Sequence, residues 1–229
     1  MRKLFERIYD FLTGRCIRKI AFSGAPENSV YLTFDDGPSA VCTPLVLDLL
    51  LHHKVKATFF LIGQKAISQE PLTRRILAEG HTIGNHSIDH DTRQFFGTQE
   101  SMKQWLSVSH NIFSQVLKIN SIGFRSPLGM KTPPMNSVLK YVKWPLILWD
   151  VRFYDTKYGL SKKVVKEKLS TISDGSIILL HDTHVGAKQA EFLSALEYLI
   201  IETKKKNLKF LPLEESLVMN SYLEKYKSF

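Results

Sequence analysis

Two adjacent carboxylates, Asp35 and Asp36, directly follow an apolar run in this sequence. The run Val30–Phe34 has the composition of a buried β-strand, and the dipeptide Gly37-Pro38 predicts a turn after the carboxylates. Neighbouring carboxylates repel each other unless a cation, a proton or water screens their charges. The pair therefore fits a site in which one carboxylate binds a metal ion and the other moves a proton, although Asp-rich turns are also common at strand ends.

Two imidazoles, His86 and His90, are spaced four residues apart in the segment HSIDH. On a helical turn this spacing places both rings on one face, with Cβ atoms about 5–6 Å apart. Together with one aspartate they make a donor set of two nitrogens and one oxygen, which leaves coordination positions open for water and substrate. An isolated pair of this kind is more often a surface feature, so the prediction of a metal site depends on the other motifs.

Two further apolar segments end in side chains that can take part in catalysis. Arg125 precedes the turn-forming segment Pro127–Gly129, and a guanidinium at that point can hold a carboxylate in place. The run Ile177–Leu180 has the pattern of a buried strand and leads directly into His181. Taken alone, the arginine is more often part of a structural salt bridge and the histidine is more often structural.

The elements that must position these residues alternate between strand-like and helix-like patterns. The strand-like segments are Val30–Phe34, Lys56–Ile62, His81–Asn85, Ser121–Arg125, Pro145–Val151, Ser176–His181 and Leu208–Leu211. The helix-like segments are Thr43–His53, Leu72–Glu79, Gln99–Lys118, Pro134–Val142, Lys162–Ile172 and Lys188–Lys206. This alternation predicts an α/β fold with a parallel sheet, either a doubly wound sheet or a barrel. Each candidate residue follows the carboxyl end of a strand, the end that carries the active site in α/β barrels, so we expect one converging site.

Taken in order, these motifs resemble those of carbohydrate esterase family 4, the polysaccharide deacetylases with a NodB-like domain. TFDDGP resembles the first motif of the family, HSIDH the second, RSPLG the third and LLH the fifth. The resemblance extends from about Val30 to the end of the sixth strand, and the first ninety residues look most like small chitooligosaccharide deacetylases. It implies a distorted (β/α)7 barrel.

The resemblance also implies a role for each candidate residue. Asp36, His86 and His90 would hold a divalent metal ion, for which zinc is the first expectation and cobalt, nickel or manganese are alternatives. Asp35 would act as the general base, and Arg125 would orient it.

For the general acid, the oxyanion donor and the residue that tunes the acid, the resemblance is less complete. His181 would be the general acid, and the backbone N–H of Leu128 is predicted to stabilise the oxyanion, although the family often has an aromatic residue there. The fourth motif is altered: Asp155 is the best match for the residue that tunes the acid, with Thr156 where Trp is usual, and Asp150 is the alternative.

The predicted function is metal-dependent hydrolysis of the N-acetyl amide of an amino sugar, with release of acetate. The expected substrate is a short N-acetylated oligosaccharide or a lipid-linked glycan intermediate. Two alternatives stay open: a deformylase or other amidohydrolase on the same fold, and a catalytically silent carbohydrate- or lipid-binding module. The full set of predicted catalytic residues speaks against the silent module.

Length and composition fit one globular domain. The 229 residues are 44% hydrophobic and 23% charged, as in ordinary soluble proteins. We expect a basic amphipathic N-terminal segment over residues 1–24 and a single NodB-like domain over residues 25–229. Neither Cys16 nor Cys42 has metal-binding spacing, so both are expected to be buried thiols.

The formal charge of +9 predicts an anionic neighbour but not which one. We expect no nucleic-acid partner, because the sequence contains no binding module and no stripe of basic and aromatic residues. The apolar residues between Leu4 and Leu12 fall on one helical face, which can lie on a membrane or pack on the domain. Charges interrupt every apolar run near the start, so we expect no signal peptide and a cytoplasmic location, with contact at the inner face of the membrane as one option.

Overall fold

The structure is a computed structural model that describes residues 16–227, with the backbone alone for residues 225–227. Residues 1–15, which carry most of the predicted amphipathic segment and its membrane contact, lie outside the described residues. Cys16 and Cys42 are both buried and form no disulfide.

Within the described residues, six short strands form one sheet whose strand pairs are all parallel. The strands are β1 Ser29–Asp35, β2 Thr58–Leu61, β3 Thr82–Asn85, β4 Val151–Arg152, β5 Ile177–His181 and β6 Lys209–Phe210. The strand order is β3-β2-β1-β5-β4, and β6 pairs with the first two residues of β1. The predicted parallel α/β fold is therefore confirmed.

Single backbone bridges extend the sheet beyond β3. Asn85 pairs with Phe124 and Phe124 pairs with Leu146, both in parallel. The same stretch of chain continues into β4, which pairs with β5. Pairing thus passes from β3 around to β5 in an irregular, barrel-like arrangement. The two predicted strands in this region are reduced to bridges, because Gly123 adopts φ +147° and Pro145 has no N–H to donate.

Helices connect the strands and cover the outer face of the sheet. They are α1 Thr43–His52, α2 Gly63–Ser68, α3 Glu70–Ala78, α4 Gln99–Asn111, α5 Pro133–Tyr141, α6 Asp155–Tyr158, α7 Lys162–Lys168, α8 Ala187–Lys205 and α9 Glu215–Lys227. The helix predicted over residues 99–118 is α-helical only to Asn111 and then continues as a π-helical turn, Ile112–Val116. Among the described residues, no helix combines the length and the apolar composition that a bilayer crossing needs.

The central strand β1 is buried along its whole length, as expected for a parallel strand covered on both sides. Leu32 and Phe34 pack in the cluster between the sheet and the helices, where the Phe34 ring stacks on Phe59 with centroids 5.0 Å apart. The alternate residue Tyr31 packs in a separate cluster inside the barrel-like sheet. Since side chains alternate along a strand, Asp35 shares this inner side with Tyr31.

Candidate active site

The carboxyl ends of β1, β3 and β5 meet at one edge of the sheet. Asp35 at the end of β1 lies in register with His181 at the end of β5. On the other side of β1, β2 pairs with β3, whose last residue is Asn85, and His86 follows it directly. The sheet register therefore brings residues that are far apart in sequence to one edge.

Asp36, His86 and His90 form a compact group of three possible metal ligands. One ligand atom from each residue lies within 4.8 Å of the other two. The Nε2 atoms of His86 and His90 are each 3.3 Å from Asp36 Oδ1. This oxygen is buried and has no hydrogen-bond partner. A buried carboxylate oxygen without a donor but with two imidazole nitrogens beside it is the arrangement expected of a cation site.

The loop after β3 determines which nitrogen each imidazole presents. His86 Nδ1 donates to the Arg125 carbonyl oxygen at 2.8 Å, which leaves the Nε2 lone pair directed towards Asp36. The expected helical turn is wrong, because Ser87 and His90 both have positive φ angles, 70° and 61°. Side-chain bonds hold this loop: Ser87 N–H donates to Asn85 Oδ1, and His90 N–H donates to Ser87 Oγ.

Electrostatics favour an ionised carboxylate and a neutral imidazole in this group. Burial raises the pKa of Asp36, but the contact with His86 and the neighbouring positive charges prevail and hold it well below its ordinary range. Burial lowers the pKa of His90. Both shifts favour the protonation states that bind a metal ion.

Asp35 is held by a buried guanidinium. Arg125 is fully buried, and its Nη1 donates to Asp35 Oδ1 at 2.7 Å. Its other contacts are Nη1 to Thr33 Oγ1 at 2.7 Å, Nε to Ile147 O at 3.0 Å and Nη2 to Leu148 O at 3.0 Å. The second oxygen, Asp35 Oδ2, is 3.9 Å from His86 Nε2 and so faces the ligand group.

A second group, made of Asp155, His181 and His184, lies on the other side of Asp35. Nδ1 of His181 donates to Asp155 Oδ1 at 3.0 Å, and the His181 backbone N–H donates to Asp155 Oδ2 at 2.8 Å. Burial lowers the pKa of His181, but the bond to Asp155 and the charges of the nearby carboxylates raise it to about 9. Burial likewise opposes ionisation of Asp155, but its two histidine partners lower its pKa to about 2.

His184 is a partner of Asp155 to which the sequence interpretation gave no role. Its Nε2 donates to Asp155 Oδ2 at 3.1 Å, and its ring packs on Phe192 with centroids 4.2 Å apart. The spacing of three residues from His181 was the available signal. That signal is weak, because it does not show that a carboxylate lies between the two rings.

The two candidates for the altered fourth motif lie at opposite ends of β5. Asp155 bonds to His181, whereas Asp150 accepts from Ile177 N–H at 2.7 Å and from Ser176 Oγ at 2.9 Å. Asp150 thus lies at the start of the strand and holds its backbone, while Asp155 lies at the end of the strand and bonds the histidine.

Leu128 lies in a tight turn, with φ 57° and a side chain that is 65% exposed. The N–H groups of the next two residues close this turn by donating to Ser126 O and Pro127 O. A Cβ on Gly129 would come within 2.6 Å of the Trp149 ring, so this turn lies directly against that indole.

A second residue that the sequence interpretation did not single out is Asp182. It is fully buried and accepts a short hydrogen bond from Thr43 Oγ1. A Cβ on Gly37 would lie 2.6 Å from Asp182 Oδ1, so the carboxyl packs directly against the turn that follows Asp36. Burial raises the pKa of Asp182 to about 6.

Comparison with known proteins gives consistent results. The sequence model of the family described as polysaccharide deacetylase matches residues 23–145. A chitooligosaccharide deacetylase of Bradyrhizobium is 33% identical, over 90% of this chain and 98% of its own length. The peptidoglycan-N-acetylglucosamine deacetylase PgdA of Listeria monocytogenes is 42% identical over 68% of this chain, but this alignment spans about a third of that protein (32%).

Among solved structures, the Bc1960 peptidoglycan N-acetylglucosamine deacetylase superimposes with a TM-score of 0.79. It is 28% identical in sequence, and the match covers 91% of this chain and 94% of that one. The structural similarity thus extends beyond residues 23–145, which match the family model, to nearly the whole fold.

Proposed function

The chain belongs to the polysaccharide deacetylase family, and we propose that it hydrolyses the N-acetyl amide of an amino sugar and releases acetate. One observation carries this proposal: three possible metal ligands, a base candidate and an acid candidate converge at one strand-end edge. Asp35 lies between the two groups, 3.9 Å from His86 on one side and in register with His181 on the other. Amide hydrolysis needs these components together, because water must lose a proton while the departing nitrogen gains one.

We propose that Asp36, His86 and His90 hold a divalent metal ion, with zinc as the first candidate. The fit rests on the unpartnered Asp36 Oδ1 and on the two imidazole nitrogens 3.3 Å from it. Cobalt, nickel and manganese accept the same donors. When bound, such an ion supplies Lewis acidity, which polarises a carbonyl oxygen and makes water easier to deprotonate.

Asp35 is the proposed general base. Arg125 donates to one of its oxygens, so the carboxylate is fixed in orientation beside a buried positive charge. The other oxygen, Oδ2, faces the ligand group and is the atom that takes the proton from the attacking water.

His181 is the proposed general acid. Its pKa of about 9 keeps it protonated at neutral pH. Because Nδ1 already donates to Asp155, Nε2 is the atom that can give a proton to the departing amine nitrogen. An unprotonated amine anion is a very poor leaving group, so this proton is required before the amide C–N bond breaks.

The backbone N–H of Leu128 is the proposed donor to the oxygen of the tetrahedral intermediate. The tight turn at Leu128 supports this proposal, because a backbone donor fixed by such a turn does not depend on the side chain that the position carries. Leucine in place of an aromatic residue therefore leaves this donor in place.

The proposed substrate is a short N-acetylated oligosaccharide or a lipid-linked glycan intermediate. The first option follows the similarity to the Bradyrhizobium chitooligosaccharide deacetylase, which this chain spans almost completely. A cytoplasmic location, with contact at the inner membrane face, remains a proposal that rests on the sequence.

The test is acetate release from N-acetylglucosamine oligomers by zinc-loaded protein, with chelated protein and Asp35→Asn in parallel. We expect release that stops on chelation and falls by about 10²- to 10⁴-fold in Asp35→Asn. Asp48→Asn, which removes a surface carboxylate bonded to Arg75, is the matched control and should retain full activity. Release of formate instead of acetate from a panel of amides would favour the deformylase alternative. Binding of the oligomer without any turnover would favour the silent module.

A further inference from the structure

Five residues beside the group of Asp155, His181 and His184 form a surface that has no role in the proposed reaction. This aromatic–cationic patch consists of Arg152, Tyr154, Lys157, Tyr158 and Lys168. Its two tyrosines are exposed, 44% for Tyr154 and 71% for Tyr158, with ring centroids 6.5 Å apart. Exposed aromatic rings of this kind offer flat apolar faces on which a sugar ring can pack.

The three cations of the patch lie on aromatic rings. Arg152 Cζ is 4.2 Å from the Tyr154 ring centroid and 5.6 Å from that of Trp149. The Nζ atoms of Lys168 and Lys157 lie 5.1 Å and 5.0 Å from the Tyr154 and Tyr158 rings, respectively. These contacts fix the positions of the charges close to the rings.

Among the side chains of residues 16–224, none of these three cations forms an ion pair with a carboxylate. The buried Nε of Arg152 also has no hydrogen-bond partner, and Lys168 Nζ donates to the Arg152 carbonyl oxygen. A guanidinium with an unsatisfied buried N–H costs free energy unless a ligand completes its hydrogen bonds. The patch thus combines three cations with one unsatisfied guanidinium N–H, features that suit an anionic ligand.

The position of the patch links it to the reaction. Arg152 pairs in β4 with Leu179, two residues before His181 in β5. Tyr154 directly precedes Asp155 and adopts a left-handed backbone conformation, φ 59°. This conformation is unfavourable for a bulky residue, and such strain is concentrated at functional sites.

We propose that the aromatic–cationic patch is a substrate subsite for an anionic sugar residue that adjoins the N-acetylated sugar. This inference rests on the proposed deacetylase function and adds the substrate class: a glycan that carries a carboxylate or a phosphate, not a neutral chitin-like chain. The tyrosine rings pack on the sugar face, and Arg152 bonds the anionic group through two of its N–H groups. Lys157 and Lys168 supply further positive charge.

The experiment compares three oligosaccharides of equal length: neutral, with one carboxylate, and with one phosphate beside the N-acetylated sugar. Acetate release and equilibrium binding to the zinc-loaded protein are measured in parallel. We expect a KM about tenfold lower for one or both anionic substrates at similar kcat, which corresponds to about 1.4 kcal/mol. The preference should weaken as salt is raised. The substrate that shows it identifies the anionic group.

Arg152→Gln should remove this preference and leave kcat and KM for the neutral oligomer unchanged. Lys157→Gln, on the exposed rim, should reduce the preference about two- to threefold, and it serves as the second variant if Arg152→Gln fails to fold. Arg74→Gln, which removes an exposed arginine paired with Glu70 on α3, is the matched control and should retain the full preference.

Equal affinity of the wild-type protein for all three oligosaccharides would overturn the subsite. A preference that is undiminished in both variants, or in Lys157→Gln if only that variant folds, would do the same. If no substrate releases acetate, the proposed deacetylase function fails, but the binding measurements still decide the subsite.

Discussion

The two halves of the site each contain one aspartate and two histidines, but the arrangements are opposite. The ligand half is Asp36, His86 and His90, and the acid half is Asp155, His181 and His184. In the ligand half, both imidazole Nε2 atoms lie 3.3 Å from Asp36 Oδ1, which has no hydrogen-bond donor. In the acid half, Asp155 accepts from His181 and His184 through different oxygens, 3.0 and 3.1 Å away. The ligand half therefore has an oxygen without a donor, which fits the proposed cation site, whereas N–H donors already satisfy the carboxylate of the acid half.

Backbone contacts produce this difference. His86 Nδ1–H is bonded to the carbonyl oxygen of Arg125, so the ring turns its lone pair inward. The ring of His181 turns an N–H towards the carboxylate instead, and its backbone N–H binds the same group. The shifts in pKa follow: burial lowers the pKa of His90, whereas bonding to Asp155 outweighs burial and raises that of His181 to about 9. Residue types alone thus do not separate a metal site from an acid site.

The largest effect is expected from Asp36→Ala, which removes the shared oxygen of the ligand half. The two remaining imidazoles should not retain the ion, and the several kcal/mol that a metal contributes to the transition state would be lost, a decrease in activity of about a thousandfold or more. Metal content after dialysis and acetate release measure the result. A variant that retains a stoichiometric metal ion would contradict the assignment of the ligand half.

His181→Gln should affect only the acid half. We expect kcat to fall about 10²- to 10⁴-fold, because the departing amine no longer receives a proton. Metal content should equal that of the wild type, since His181 is outside the ligand group. Loss of the metal together with activity would show that the two halves are not independent.

Asp155→Asn should change the pH profile rather than the metal content. The wild-type protein needs protonated His181, so activity should fall as pH rises through about 9. Removing the charge of Asp155 lowers the pKa of His181 towards its ordinary 6.5, so the alkaline limb should move to lower pH by up to about two units. Initial rates between pH 6 and 10 measure the shift. An alkaline limb that does not move would exclude Asp155 as the group that tunes the acid.

The raised pKa of His181 should also make the stability of the folded protein depend on pH. A histidine whose pKa is raised by folding contributes stability that is fully present below pH 6.5 and is lost as pH rises through about 9. The unfolding midpoint of the wild-type protein should therefore decline across this range, and Asp155→Asn should flatten the decline. Equal slopes for both proteins would contradict the raised pKa of His181.

Much of the fold could be predicted from the sequence, because buried parallel strands are nearly continuous apolar runs. The runs before Asp35 and His181 became β1 and β5, and their shared direction predicted that both residues lie at one edge. The local sequence pattern therefore predicts where these two strands end. The strands predicted over residues 121–125 and 145–151 were less regular, because a glycine with positive φ and a proline interrupt their pairing.

The parts that could not be predicted depend on contacts between distant residues. The loop from His86 to His90 is not helical, because the Asn85 and Ser87 side chains bond its N–H groups. His184 was given no role because its partner, Asp155, is 29 residues away in sequence. Local pattern shows which residues end the strands, but only the tertiary structure shows which hydrogen bonds they share.

The smallest effect is expected from His184→Phe, which removes one of three donors to Asp155 and keeps a ring against Phe192. His181 still holds both carboxylate oxygens through its ring and its backbone N–H. A single neutral hydrogen bond contributes about 0.5–1.5 kcal/mol, so kcat should fall only about 2- to 10-fold.

The direction of the pH shift separates His184 from Asp155. When one donor to Asp155 is lost, its negative charge is less compensated, and this favours the protonated form of His181. The alkaline limb should therefore stay in place or move to higher pH in His184→Phe, opposite to its movement in Asp155→Asn. Rates for both variants over the same pH range give the comparison. If the alkaline limb of His184→Phe instead moves to lower pH, both His184→Phe and Asp155→Asn destabilise the protonated form of His181. His184 would then control the acid directly, and Asp155 would not act alone.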